Sequence, residues 1–162
     1  MSRQASPAPQ AAGTVSALQA ALTAEHAAVY GYGVVGAYLA GRKQAAATAD
    51  WVAHQEARDK LEALLRARGS QPVAAAVAYR LPIRVRNSSG AASLAVLLED
   101  RITTAYLGLV ALDTPAVRKF GALQVQASAL RAAYWRGSTV AFPGLPASAL
   151  AAPRRPGSGS GG

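Results

Sequence analysis

A glutamate stands where a helix seam calls for an apolar residue. Leu18, Leu22, Glu25, Val29, Tyr32, Gly36 and Leu39 recur at steps of four and three, the spacing of side chains that face other helices. Burying a carboxylate in such a seam is costly without a partner. Glu25 therefore points to an interior polar site: a metal centre, the remnant of one, or a buried ion network. His54, Asp59 and Glu99 are the other side chains able to complete such a site. Carboxylates and imidazole would together hold a single divalent ion, iron or manganese, in a metal-binding protein or an oxidoreductase.

The competing chemistry uses arginine. The stripe Ala47, Trp51, His54, Arg58, Leu61, Leu65 puts His54 and Arg58 on a core-facing side. Leu94, Leu98, Arg101 and Ala105 bring Arg101 near the same interior. A fork-shaped guanidinium satisfies a carboxylate well and opposes a cation by direct repulsion. A buried network of Glu25, His54, Arg58 and Arg101 is the favoured reading. It assigns no catalytic residue and requires no cofactor.

The elements that carry these residues are helices. Half of the chain is hydrophobic (51%) but only 6% is aromatic; the excess is alanine, the best helix former. Helix 1 is expected from Thr14 to about Ala40, helix 2 from Gln44 to Arg68, helix 3 over 89–112, and helix 4 from Pro115 to Arg136. Asn87, Ser88 and Ser89 offer N-caps, Asp113 and Thr114 precede Pro115, and Gly137 supplies a stop. Helix 4 places Ala116, Phe120, Leu123, Ala127, Leu130 and Tyr134 on a core-like seam. Pro72, Pro82 and Leu81-Pro82-Ile83-Arg84-Val85-Arg86 break the helical pattern between helices 2 and 3. Short turns within each hairpin and a long crossover between hairpins make a four-helix bundle with one crossover. Residues 1–13 are expected to be a disordered tail, 14–146 the bundle, and 147–162 a flexible tail.

The segment Leu18-Gln-Ala-Ala-Leu-Thr-Ala-Glu-His-Ala-Ala-Val-Tyr-Gly-Tyr-Gly resembles the first helix of a small, uncharacterised actinobacterial family within the ferritin-like superfamily. Trp51-Val-Ala-His-Gln-Glu-Ala-Arg-Asp-Lys-Leu, Leu98-Glu-Asp-Arg-Ile-Thr-Thr-Ala-Tyr and Ala141-Phe-Pro-Gly-Leu-Pro extend the resemblance. It implies an all-α, ferritin-like fold and no particular activity. A ferritin-type di-iron centre takes a Glu from each of two helices and a Glu-x-x-His from each of the other two. Glu25 and Glu99 match the first pair. Helix 2 offers His54, Glu56 and Asp59 without that motif, and helix 4 has no Asp, Glu or His between Thr114 and Arg136. The resemblance with this departure implies a degenerate di-metal site.

The absence of cysteine removes disulfides, thiolate metal sites and a cysteine nucleophile. Gly31-Tyr-Gly-Val-Val-Gly has a dinucleotide spacing but lies mid-helix with no strand before it. No stretch is long and apolar enough to span a membrane, so a cytoplasmic location is the default expectation, and the bundle is expected to form a homodimer. The net charge of +9 leaves an acidic partner or nucleic acid open, through the basic crossover and tails.

Overall fold

A computed structural model describes residues 9–112 and 114–145. The expected tails fall largely outside these residues, as does the capping position Asp113. Four helices form: α1 (Pro9–Ala37), α2 (Gly41–Arg66), α3 (Ser88–Val110) and α4 (Pro115–Arg136). The described residues contain no strand. Residues 9–13, expected in the tail, are the first turn of α1; alanine-rich sequence gives a helix no reason to start later.

Local signals explain the other boundaries. The Asn87 side chain accepts a hydrogen bond from the Gly90 amide, capping α3. Pro115 occupies the first turn of α4, where its missing N–H costs nothing. Gly137 ends α4 with φ of 76°, a left-handed conformation that favours glycine.

The core has two apolar layers. In one, Leu18 and Leu22 of α1 meet Leu61 and Leu65 of α2, Ile102 and Leu109 of α3, and Val117 of α4. In the other, Tyr32, Val35 and Leu39 of α1 meet Ala47 of α2, Leu94 and Leu98 of α3, and Trp135 of α4. The order of these contacts fixes the directions: α2 and α3 run antiparallel to α1, and α4 runs parallel to it. The chain must therefore return the length of the bundle between α2 and α3. A helix of 26 residues spans about 39 Å, and extended chain covers about 3.3 Å per residue, so a dozen residues or more are required. Residues 67–87 meet this need without helix or strand.

This crossover is held along α1. Gln19 Nε2 donates to the Gln71 carbonyl at 2.7 Å, and Gln19 Oε1 accepts from the Val73 amide at 2.9 Å. His26 Nε2 lies 3.0 Å from the Val73 carbonyl, and the Tyr30 and Tyr79 rings meet at 5.5 Å.

The orientation of α4 differs from expectation. Its buried residues are Val117, Gly121, Ser128, Ala132 and Trp135. Leu123, Leu130 and Tyr134, assigned to the core by their periodicity, are 53%, 72% and 55% exposed. The helix is turned by one residue, about 100°, from the face its apolar stripe suggests. Close packing on α3 explains the choice: a Cβ at Gly121 would lie 2.8 Å from Leu109 Cβ and 3.2 Å from the Tyr106 carbonyl. Small residues let the two backbones approach, and they bring Arg131 toward the interior.

Candidate functional site

Between the two apolar layers lies a polar one, to which each helix contributes. Glu25 of α1, His54 of α2 and Glu99 of α3 are buried. His54 Nδ1 is 2.7 Å from Glu25 Oε2, and His54 Nε2 is 3.0 Å from Glu99 Oε1. Arg131 of α4 donates from Nε to Glu99 Oε1 at 2.9 Å. The Tyr106 hydroxyl donates to Glu25 Oε1 at 2.7 Å, and the Tyr32 hydroxyl to Glu99 Oε1 at 2.6 Å. Trp135 Nε1 donates to Asp50 Oδ2 at 2.8 Å, and Asp50 lies 3.4 Å from the Tyr32 hydroxyl at the edge of the cluster.

Two carboxylates facing both ring nitrogens make His54 an imidazolium that donates twice. Burial alone would push its pKa down, but the hydrogen bonds and charges of Glu25 and Glu99 prevail and raise it to about 9. For Glu99, burial favours the neutral acid, yet His54, Arg131 and Tyr32 hold its pKa below the usual carboxylate range. Burial, reinforced by Glu99 for Tyr32 and by Glu25 for Tyr106, pushes both phenols well up, so both remain donors. Burial also raises the Asp50 carboxyl, against the pull of the Trp135 hydrogen bond. Two carboxylates, one imidazolium and one guanidinium thus balance within the layer.

The arrangement repeats a spacing. Tyr32 follows Glu25 by seven residues on α1, and Tyr106 follows Glu99 by seven on α3. Because the helices are antiparallel, each tyrosine reaches the glutamate of the other helix. Glu99 Oε1 collects three donors, whereas its buried Oε2 has no hydrogen-bond partner among the described residues.

Of the residues singled out from sequence, Glu25, His54 and Glu99 come together and Asp59, Arg58 and Arg101 do not. Arg58 donates from Nε to Asp59 Oδ1 at 2.8 Å on the outer side of α2. Asp59 is exposed, since five residues beyond His54 is about 140° around the helix. Arg101, two positions and about 200° beyond Glu99, is exposed as well. The guanidinium of the network is instead Arg131. Its signal was the stripe Val117, Gly121, Gln124, Ser128, Arg131, Trp135, hidden by the more apolar stripe beside it. Tyr32 and Tyr106 were marked by the repeated seven-residue spacing.

A di-metal centre does not fit this donor set. A histidine ligand needs a free ring lone pair, and both His54 nitrogens are directed at carboxylate oxygens. Arg131 places a positive charge against Glu99. Among the described residues, no group of three or more His, Asp or Glu side chains is disposed to hold a metal ion. What the arrangement does is retain one proton and bind four helices together. No helix of the described residues is long and apolar enough to cross a membrane.

Residues 17–147 match the family described as Domain of unknown function (DUF4439). Among solved structures, a conserved hypothetical protein, rv2844, from Mycobacterium tuberculosis is similar at a TM-score of 0.76 and 33% identity, over 78% of this chain and 96% of that one. No curated protein matches the chain.

Proposed function

The chain belongs to the family of the domain of unknown function DUF4439, and we propose that it is a non-catalytic, ferritin-like bundle whose di-metal centre has decayed into a buried charge network. One observation carries this reading: His54 directs both ring nitrogens to Glu25 and Glu99, while α4 supplies Arg131 in place of a metal ligand. The protein's work is then done at its surface, with the interior network holding the scaffold. Incubation with ferrous iron, manganese or zinc, followed by desalting and elemental analysis, is expected to leave no stoichiometric metal. Retention of a full equivalent that is lost in Glu25→Ala would establish a divalent-metal protein instead.

The surface feature favouring self-association is on α4. Phe120, Leu123, Ala127, Leu130 and Tyr134 follow steps of three and four, the seam of paired helices. Nothing within the described bundle covers its outer members. An identical seam across a two-fold axis matches that periodicity, making a second copy the occupant. Sedimentation equilibrium is expected to show a dimer that Leu130→Glu converts to monomer. A wild-type chain that stays monomeric at high concentration would refute the dimer and leave the reading of the interior untouched.

A further inference from the structure

The crossover builds a second surface, whose lining contains no residue of the network. Over residues 81–86 its side chains alternate: Leu81, Ile83 and Val85 pack toward the core, whereas Pro82, Arg84 and Arg86 are exposed. This period-two arrangement fixes the two arginines on an anchored backbone, about 7 Å apart along extended chain. Beside them, Tyr30, Tyr38 and Tyr79 line an open cleft of about 650 Å³. Tyr30 and Tyr38 are 39% and 44% exposed, and Tyr79 is held by the Ala76 amide, which donates to its hydroxyl at 2.9 Å.

The electrostatics at this end have one sign. The chain has no Asp or Glu between Glu25 and Asp50, or between Glu62 and Glu99, and Asp50 is engaged by Trp135. Arg42, Lys43, Arg80, Arg84 and Arg86 are all exposed there. We infer that the cleft formed by Tyr30, Tyr38, Tyr79, Arg84 and Arg86 binds a ligand carrying a planar base and a phosphate, presented as single-stranded nucleic acid. Tyrosine faces take the bases and the paired guanidiniums take successive phosphates. A duplex hides its base faces and would gain only the electrostatic part. Neither the metal assay nor the oligomeric state bears on this site, because its lining includes none of Glu25, His54 and Glu99 and no residue of α4.

The test is fluorescence anisotropy of a labelled oligothymidine titrated with the full chain over a range of salt. Binding is expected, with log affinity falling linearly against log salt concentration. Arg84→Ala with Arg86→Ala should make that slope shallower by roughly 1.4, the contribution of two phosphates on a single strand. Tyr30→Ala with Tyr38→Ala should weaken binding roughly tenfold or more at unchanged slope. These side chains are at the surface, and an unchanged helical circular dichroism signal verifies the fold of each variant. Competition by a mononucleotide at concentrations comparable to the oligonucleotide would assign the cleft to free nucleotide rather than a strand and overturn that part of the inference. No binding, equal affinity for duplex, or binding unaffected by both double substitutions would overturn the site itself. Loss only on Arg154→Ala with Arg155→Ala would transfer the binding to the chain end.

Discussion

Glu99→Ala is expected to lower the unfolding free energy by about 3–5 kcal/mol, the usual cost of removing one partner from a buried ion pair. The effect is large because Glu99 Oε1 serves three donors: His54, Arg131 and Tyr32. Its loss leaves an imidazolium and a guanidinium opposed by Glu25 alone. A natural domain has about 5–15 kcal/mol in hand, so much of the stability goes with this one side chain. Glu99→Gln separates charge from hydrogen bonding. Its amide oxygen can keep the three donors, while its NH₂ group falls at the Oε2 position that has no partner. The amide variant should therefore lie between wild type and alanine in urea denaturation. A change below about 1 kcal/mol for alanine would be too small for a buried, charge-coupled glutamate and would rule out the network as an organising element.

The second large effect is a loss of stability in mild alkali. His54 keeps its proton to about pH 9 in the folded chain and to about 6.5 when unfolded. Folding takes up a proton between these values. The stabilisation is therefore complete below about pH 6.5 and is lost as pH rises through 9, roughly 3 kcal/mol in all. Glu99 acts in the opposite direction. Its folded pKa is depressed, so its contribution is present above the ordinary carboxylate range and lost as pH falls through the folded value. Stability should peak between these limits. Urea midpoints measured at intervals across this range give the profile, and His54→Gln should remove the alkaline decline while other titrating groups remain. A wild-type profile that matches that of the variant would mean that His54 is not charged in the folded chain.

Much of this interior was legible in the sequence, and each failure has a physical cause. Glu25 was found because it interrupts an otherwise apolar seam, and His54 because it lies on a stripe ending in Leu61 and Leu65. Asn87, Pro115 and Gly137 marked helix ends through local backbone chemistry, which needs no tertiary context. Arg131 was missed because hydrophobic periodicity equates the most apolar stripe with the core. On α4 that equation fails: between Val117 and Trp135 the buried face is made of the small residues Gly121, Ser128 and Ala132, which allow close approach to α3. Arg58 and Arg101 were chosen for the reverse reason, as arginines near the expected faces, although a long side chain readily carries its charge outward. The start of α1 at Pro9 was obscured by a polar, proline-containing opening to the chain.

The polar layer also has a kinetic meaning. Glu25 and His54 belong to the first hairpin, Glu99 and Arg131 to the second, and each tyrosine donor lies across the divide from its acceptor. Each hairpin pairs its own glutamate with one cation, Glu25 with His54 and Glu99 with Arg131, but the tyrosine donors and the His54–Glu99 bond come only from across the divide. A hairpin alone leaves its glutamate short of the donors that the other hairpin supplies, and the crossover must be traversed before those bonds close. Such wiring favours all-or-none assembly, in which the two halves of the chain become native together or not at all.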